Sequence, residues 1–154
     1  MEELKEYLAG LFDAFDGQPS AFQARMERFD SDDLHQPLEP NGWSPHQVIA
    51  HVLASESEAL LPRIQRILDD HEPELPDWDG TGWMANAYSP DRPMADILAE
   101  YAAARRSVGA RLSDIPMENW NRVGTHPTRG RRTALWWLEY TVAHAKDHLA
   151  QLAA

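Results

Sequence analysis

Apolar side chains recur at helical spacing in four segments of this chain. The first segment runs from about residue 2 to about residue 29, and its apolar positions lie three or four residues apart, as expected for a helix with one buried face. Gly17 and Pro19 interrupt this segment, and proline lacks the backbone N–H that a helix interior uses. The pattern therefore predicts a first helix with a kink or a break near residue 19.

The clearest helix start lies at residues 44–47. Ser44 can act as the N-cap, Pro45 occupies the first helical position, and Gln47 completes a capping box. Apolar residues then continue at helical spacing to Leu68. We predict that Pro62 bends this second helix without ending it, because the apolar period resumes beyond it.

Two long connections separate the remaining helices. Residues 70–92 contain prolines, glycines and large aromatic side chains without a sustained period. A third helix is predicted from Pro93 to about Leu112, and a fourth from the N-cap Thr133 to about Leu152, with residues 113–132 between them. No strand pattern competes with these helices. The sequence therefore predicts one all-α domain over residues 1–154, folded as a four-helix bundle.

Three histidines are placed where two of the predicted helices could bring them together. His144 and His148 lie one turn apart on one face of the fourth helix, and His51 lies in the second turn of the second helix. Three imidazoles can hold a divalent metal and leave coordination positions open, which is typical of a catalytic site. The competing interpretation is that they are surface or hydrogen-bonded core histidines.

A shared metal site would constrain the topology of the bundle. His51 lies near the N-terminal end of its helix, whereas His144 and His148 lie near the C-terminal end of theirs, so these two helices must run antiparallel. A plain up-down-up-down bundle makes them parallel. We therefore predict one long crossover and an up-down-down-up arrangement. The crossover is assigned to residues 70–92, with residues 113–132 as the alternative.

Further candidates for the site are expected at the same end of the bundle. Trp43, Trp83 and Tyr88 are candidates for the pocket wall, although core packing is the simpler explanation for Trp43. Glu58, two turns beyond the first histidine, and Asp147 are candidates for carboxylates that accept a hydrogen bond from a ligand ring. A solvated position is the competing interpretation for Glu58.

The other four histidines are not predicted to bind the metal. His46 lies about 140° around the helix from His51, which directs it away from the site. His35, His71 and His126 fall in connections and are interpreted as surface residues.

Composition narrows the partners and the chemistry. The net charge of -11 opposes binding to nucleic acid or to an anionic membrane. The chain has no cysteine, which excludes disulfides, thiolate ligands and a cysteine nucleophile. No stretch reaches the roughly 20 apolar residues that span a bilayer, and the amino terminus lacks the pattern of a signal peptide. A cytoplasmic location is expected.

A basic run from Arg129 to Arg132 departs from the acidic composition. We interpret it as a solvated loop before the fourth helix, and the alternative is an anion clamp for a carboxylate or phosphate. The fourth helix should separate this run from His144 by roughly 16 Å or more. The run is therefore expected to reach only the far end of a long substrate, or another subunit.

Two segments, GWSPHQVIAHVLASE and GTHPTRGRRTALWWLEYTVAHAKDHLAQL, resemble the DinB/YfiT-like superfamily. The resemblance covers essentially the whole chain and rests on a Trp-Ser helix start followed by a helical histidine, and on a terminal His-x-x-x-His helix. It implies a four-helix bundle with a metal bound by His51, His144 and His148. One difference is Ala145, at a position that is often acidic in the family, and Asp147 could replace that acid.

The resemblance also implies an activity. The known activities of the family are mostly metal-assisted transfers or isomerisations that use low-molecular-weight thiols. A thiol-dependent S-transferase or isomerase acting on a small molecule is therefore expected, with Zn²⁺, Ni²⁺, Fe²⁺ or Mn²⁺ as the metal. The alternatives are a metal-dependent hydrolase and a non-catalytic stress-response module that binds a metal or a small ligand.

A homodimer is expected as well, because proteins of this kind commonly pair through a bundle face. Trp136 and Trp137 are adjacent and lie about 100° apart around the fourth helix, so one indole ring would be free to contact a second copy. The competing view is that both rings are buried within one subunit.

Overall fold

Four helical segments and two structured connections form the molecule. The computed structural model describes residues 1–153. In chain order the elements are α1 (Glu2–Met26), α2 (Pro45–Ser55), a π-helical turn (Glu56–Leu60), α3 (Leu61–Asp69), α4 (Gly80–Asn86), α5 (Met94–Leu112), β1 (Val123–His126), β2 (Gly130–Thr133) and α6 (Ala134–Leu152). Short 3-10 turns cover Asp33–His35 and Met117–Asn121. None of the helices in residues 1–153 is both long enough and apolar enough to cross a membrane.

Side-chain caps start the two helices that carry the three candidate ligands. At α2, the Gln47 N–H donates to Ser44 Oγ (3.2 Å) and the Ser44 N–H donates to Gln47 Oε1 (2.9 Å), which confirms the predicted capping box. At α6, the Trp136 N–H donates to Thr133 Oγ1 (3.0 Å), as predicted for this N-cap. The start of each ligand-bearing helix is therefore encoded locally.

The two helix prolines are accommodated without ending a helix. Pro19 lies inside α1, which is continuous from Glu2 to Met26, so the chain does not break there. Pro62 follows the π-helical turn that joins α2 to α3, and residues 45–69 form one continuous helix, as predicted. A π-helical turn adds a residue to the turn and rotates everything beyond it relative to a regular α-helix. This rotation changes which later side chains share a face with His51.

Side-chain contacts give the direction of every helix in the bundle. α1 runs antiparallel to α5, as the contacts Phe15–Arg105 and Phe22–Tyr101 show. The helix of residues 45–69 runs parallel to α5, as the contacts Glu56–Tyr101 and Asp69–Arg111 show. The same helix runs antiparallel to α6, as the contacts His51–His144 and Arg63–Trp137 show. This is the predicted up-down-down-up bundle, and the crossover is the connection from α3 to α5, which contains α4.

The second connection contains a β-hairpin that the sequence analysis missed. β1 and β2 pair antiparallel, from Val123 opposite Thr133 to His126 opposite Gly130. The hairpin is also bonded to the crossover, because the Leu75 N–H donates to the Thr125 carbonyl (2.8 Å). Strands of four residues are too short to produce an alternating apolar pattern that can be recognised. The two connections therefore form one unit beside the bundle.

A polar layer divides the core into two apolar clusters. Arg105 donates from Nε and Nη2 to the two carboxylate oxygens of Glu56 (2.6 and 2.8 Å), and from Nη1 to the Phe15 carbonyl (2.6 Å). Its Nη2 also donates to Gln18 Oε1 (3.0 Å), and Gln18 Nε2 donates to the Val142 carbonyl (2.8 Å). The layer thus joins α1, the π-helical turn, α5 and α6.

Replacement of Arg105 by methionine should destabilise the protein strongly. The side chains of Arg105 and Glu56 are 2% and 1% exposed, so the substitution leaves a buried carboxylate without its counter-ion. We expect a loss of about 3–5 kcal/mol in the free energy of unfolding, measured by urea denaturation. The double variant R105M/E56L should recover much of that loss, because removing both charges leaves neither unpaired.

The matched control is Arg106→Met, at the exposed neighbouring position on α5. It should change the unfolding free energy by no more than about 0.5 kcal/mol. If R105M is no less stable than R106M, the polar layer does not stabilise the bundle in the way described.

Candidate metal centre

Three imidazoles from two antiparallel helices converge on one point. His144 Nε2 lies 3.3 Å from His51 Nε2 and 3.2 Å from His148 Nε2. The three ring nitrogens all lie within 4.8 Å of one another. Two nitrogens that each lie about 2.0–2.1 Å from a tetrahedral zinc ion are about 3.3 Å apart, so these separations fit ligands of a single ion.

Burial keeps two of these rings neutral. It lowers the pKa of His51 to about 4, with a smaller contribution from the charge of His148. It lowers the pKa of His144 to about 3, and the charges of His148 and His51 add to the effect. A histidine binds a metal through the lone pair of a neutral ring. Near pH 7 both rings therefore present the protonation state that metal binding requires.

The second nitrogen of each ring shows how well the ligands are held. His148 Nδ1 lies 2.9 Å from Gln151 Oε1, and an N–H donated there leaves the Nε2 lone pair facing the other histidines. The Nδ1 atoms of His51 and His144 are buried and have no hydrogen-bond partner among residues 1–153. Gln151 was not a candidate in the sequence analysis, although its i+3 spacing from His148 could have identified it.

The two carboxylates predicted to support the ligands lie elsewhere. Asp147 is exposed, and it is Gln151, through its side-chain amide oxygen, that lies within hydrogen-bond distance of the His148 ring. Glu58 is also exposed and lines a different cleft. The spacing of seven residues from His51 would place Glu58 on the same face of a regular helix, but the π-helical turn at Glu56–Leu60 removes that relation. Both predictions are wrong for these physical reasons.

An aromatic ring lies beside each of the three histidines. The Trp43 ring lies 4.8 Å from the His51 ring and is stacked at 6.4 Å on His148. The Tyr140 ring is stacked on His144 at 6.2 Å with an interplanar angle of 9°. Trp78, from the crossover, lies 6.0 Å from the His51 ring. Trp43 therefore contacts the site as predicted, whereas Trp78 and Tyr140 were not among the candidates.

Trp83 and Tyr88 lie at the correct end of the bundle but not in this site. The Trp83 ring lies 6.5 Å from the Trp78 ring and 6.3 Å from the Tyr88 ring. Trp83 and Tyr88 both line a neighbouring cleft. The Tyr88 hydroxyl lies 2.6 Å from His46 Nδ1, and His46 Nε2 lies 2.7 Å from the Arg92 carbonyl. Both ring nitrogens of His46 are thus engaged by the crossover, and His46 lies outside the group of three histidines. The crossover has the predicted position, but a different aromatic residue of it reaches the histidines.

A cleft of about 240 Å³ opens beside the histidines. His51 and His144 line one part of it. Charged, polar and aromatic side chains of the connections and of α3 and α6 line the rest: Arg63, Asp77, Trp78, His126, Arg129 and Tyr140. A molecule in this cleft would touch both the imidazoles and these side chains.

His126 is buried beside this cleft, which corrects its interpretation as a surface residue. Its Nδ1 accepts hydrogen bonds from the N–H groups of Thr128 (3.2 Å) and Arg129 (3.1 Å). Its Nε2 lies 3.3 Å from Asp77 Oδ1. Burial lowers the pKa of His126, and the charge of Arg63 acts in the same direction. A neutral ring that accepts at Nδ1 and donates from Nε2 closes the hairpin turn and orients Asp77, so it has no free lone pair for catalysis.

Arg129 also lines the cleft. The expected separation of roughly 16 Å or more follows the axis of the fourth helix, whereas the hairpin folds the basic run back beside that helix. The Arg129 guanidinium donates to the Tyr140 hydroxyl (2.8 Å), one turn before His144. Arg131 pairs instead with Glu72, and Arg132 lies over the Trp136 ring at 4.7 Å. One arginine of the run therefore reaches the candidate site.

The fold and the converging imidazoles define a helical-bundle protein with a candidate metal centre. The chain belongs to the DinB superfamily, whose profile matches residues 14–152. It is similar in structure to YfiT from Bacillus subtilis, a probable metal-dependent hydrolase with an unusual four-helix bundle topology, with a TM-score of 0.90 and 21% identity over 97% of this chain and 85% of that one. It is also similar to TT2238, a four-helix bundle protein, with a TM-score of 0.66 and 18% identity over 94% of this chain and 97% of that one. The comparison with curated proteins gave no match.

If the three histidines hold one ion, their replacement should have graded effects on zinc affinity. His51→Ala, His144→Ala and His148→Ala should each lower the affinity by about 100-fold or more, because each removes a ligand. Gln151→Ala should lower it by about 10-fold, in the range of an outer partner that orients a ligand. Competition with a chelator of known affinity measures all four variants.

His71→Ala is the matched control, because the side chain of His71 is 93% exposed and distant from the cluster. It should bind zinc as the unmodified protein does. Unchanged affinity in any one of the three histidine variants would remove that residue from the ligand set.

Proposed function

We propose that this protein is a metal-dependent enzyme that transfers a low-molecular-weight thiol to a small electrophilic substrate, or uses that thiol in an isomerisation. The observation that carries the proposal is that the Nε2 atoms of His51 and His144 face each other beside an open cleft, with His148 completing the group. Three protein ligands leave room for a thiol or a water at the ion. A purely structural site would close these positions with further side chains.

The chain supplies the ligands and the cleft, and a bound ion would supply the Lewis acid. A divalent metal held by His51, His144 and His148 would lower the pKa of a water or thiol bound to it, so that a nucleophile would be available near neutral pH. The rings of Trp43 and Tyr140 lie parallel to those of His148 and His144, with ring centres 6.4 and 6.2 Å apart. Apolar surface of this kind beside a site strengthens electrostatic interactions within it.

The thiol cosubstrate is proposed from the motifs by which the chain resembles the DinB/YfiT-like superfamily. Because the chain has no cysteine, the sulfur of such a reaction would come from a second molecule. In the transfer, the sulfur forms a bond to the electrophilic carbon, the leaving group departs with its electron pair, and the thiol proton passes to solvent.

A metal-dependent hydrolase is the second candidate, and a specific residue favours it. Asp77 lines the cleft, and its carboxylate is 66% exposed. Its Oδ1 is 3.3 Å from His126 Nε2 and accepts from the Trp78 N–H (2.9 Å), which leaves Oδ2 available to take a proton from water. Similarity to YfiT, a probable metal-dependent hydrolase, agrees with this reading but at 21% identity it supports the fold alone.

One assay series separates the two reactions. Protein loaded with zinc, nickel, iron(II) or manganese is incubated with 1-chloro-2,4-dinitrobenzene and each of several small thiols, or with 4-nitrophenyl acetate and no thiol. We expect a thioether product that requires both metal and thiol and is lost in His144→Ala. Asp77→Asn should leave this transfer largely intact but should slow ester hydrolysis by about 100-fold or more, as removal of a general base does.

Ester hydrolysis that is independent of thiol and sensitive to Asp77→Asn would contradict the transferase and favour the hydrolase. Metal binding without turnover in either arm would favour a protein that binds a metal or small ligand without catalysis.

We further propose a homodimer through the outer face of α6. Trp137 is fully buried, whereas Trp136 is partly exposed and stacks on Tyr140 at 5.4 Å. The partly exposed ring is the one available to a second copy. Sedimentation equilibrium at micromolar concentration should give twice the mass of 17.5 kDa, and Trp136→Ser should shift the mass toward that of one chain. A single-chain mass for the unmodified protein would refute the dimer.

A further inference from the structure

Arg63, on α3, is a buried guanidinium at the wall of the cleft with few partners of its own. The residue is 7% exposed and lies over the Trp137 ring at 4.9 Å. Its one hydrogen bond to residues 1–153 is from Nη2 to the Pro76 carbonyl (3.2 Å), and its Nε is buried without an acceptor. A guanidinium carries five N–H donors, so most of its hydrogen-bonding capacity is unused within the chain.

A buried positive charge without a counter-ion is unfavourable, and burial lowers the pKa of Arg63 accordingly. Asp77 also lines the cleft and its charge partly offsets this effect. Its Oδ1, however, is engaged by His126 and by the Trp78 N–H, and the carboxylate is largely in solvent. Arg63 is therefore left facing the cleft without a direct anionic partner from the chain.

A second guanidinium, that of Arg129 in the turn between β1 and β2, lines the same cleft. Arg129 is held by its hydrogen bond to the Tyr140 hydroxyl and lies 4.5 Å from the centre of that ring. Tyr140 in turn stacks on His144. The two arginines outweigh Asp77 in formal charge, although the chain as a whole carries a net charge of -11. The cleft is thus a cationic pocket on an acidic protein, and it reaches two of the three histidines.

We propose that Arg63 and Arg129 form a subsite for an oxyanion, a carboxylate or a phosphoryl group, carried by the small molecule whose reacting end lies at His51 and His144. Guanidinium groups bind such oxyanions through paired, charge-assisted hydrogen bonds. The placement of the reacting end rests on the proposed function, whereas the oxyanion subsite rests on the arginine contacts alone. The subsite would select anionic substrates or thiols over neutral ones and set their orientation relative to the imidazoles.

The first test observes the arginine directly and needs no activity. The ¹⁵N–¹H resonance of the Arg63 Nε–H is followed in the full-length protein, with and without zinc, while succinate, inorganic phosphate or the neutral succinamide is added. We expect a saturable shift with succinate or phosphate, and no saturable shift with succinamide. The anion that saturates at the lower concentration identifies whether the subsite prefers a carboxylate or a phosphoryl group.

The second test asks whether the subsite and the imidazoles hold one molecule. Protein loaded with cobalt(II) is titrated with 3-mercaptopropionate or with its neutral isostere 3-mercaptopropionamide, and binding is read from the charge-transfer absorption between thiolate and cobalt. The acid should bind roughly tenfold or more tightly than the amide, as expected for charge-assisted hydrogen bonds. Arg63→Gln and Arg129→Gln should each reduce this preference at least severalfold, because each lowers the affinity for the acid more than the affinity for the amide.

Arg131→Gln is the matched control, because Arg131 belongs to the same basic run but pairs with Glu72 away from the cleft. It should retain the full preference for the acid. Arg63→Gln removes a buried side chain, so Arg129→Gln, at an exposed position, keeps the test decisive if the first variant does not fold.

The outcomes separate this inference from the proposed function. Equal binding of acid and amide, or no shift of the Arg63 resonance with either anion, would overturn the oxyanion subsite even if the metal site is correct. Shifts of that resonance in a protein that binds no cobalt or zinc would support the subsite and contradict the metal-dependent function. A preference for the acid that is as large in Arg63→Gln and Arg129→Gln as in Arg131→Gln would also overturn the inference.

Discussion

The buried contact between Arg105 and Glu56 is the interaction on which the arrangement of the bundle depends. It lies between the two apolar clusters, and its hydrogen bonds reach α1, the π-helical turn, α5 and, through Gln18, α6. Apolar packing alone tolerates small shifts of one helix along another, whereas a buried charge must meet its partner or lose several kcal/mol, about 3–5 in comparable cases. This layer therefore fixes the position of each helix along the bundle axis. It thereby determines which residues of α6 lie opposite His51.

The candidate site is built from the bundle and from its two long connections. The helices supply the three imidazoles, because only antiparallel packing of α2 against α6 brings His51 to His144 and His148. The crossover and the hairpin supply part of the wall of the cleft, together with Arg63 of α3 and Tyr140 of α6. The hydrogen bond from Leu75 to Thr125 holds the two connections together.

Features with a local cause could be predicted from the sequence. The capping box at Ser44, the spacing of His144 and His148, and the resulting requirement for a crossover all follow from a few neighbouring residues and helix geometry. The features that were missed depend on contacts between distant segments. The burial of His126 requires Asp77 and the hairpin, and the approach of Arg129 to Tyr140 requires the hairpin to fold back along α6.

The π-helical turn shows how a single inserted residue defeats a prediction from periodicity. Regular spacing assigned Glu58 to the face of His51, but the turn places Glu56 in the core and Glu58 in solvent. Nothing in the local sequence apart from Pro62 marks this change. Glu58, the acid predicted beside the imidazoles, is exposed, whereas the buried acid of this turn, Glu56, is the partner of Arg105.

The central claim is that His51, His144 and His148 bind one metal ion together. X-ray absorption at the zinc edge, measured on the protein loaded with one equivalent of zinc, tests it most directly. The account predicts three imidazole nitrogens at about 2.0–2.1 Å with the remaining positions filled by oxygen, and two imidazoles after His51→Ala. A first shell with fewer than three imidazoles in the unmodified protein, or a spectrum that His51→Ala leaves unchanged, would contradict it.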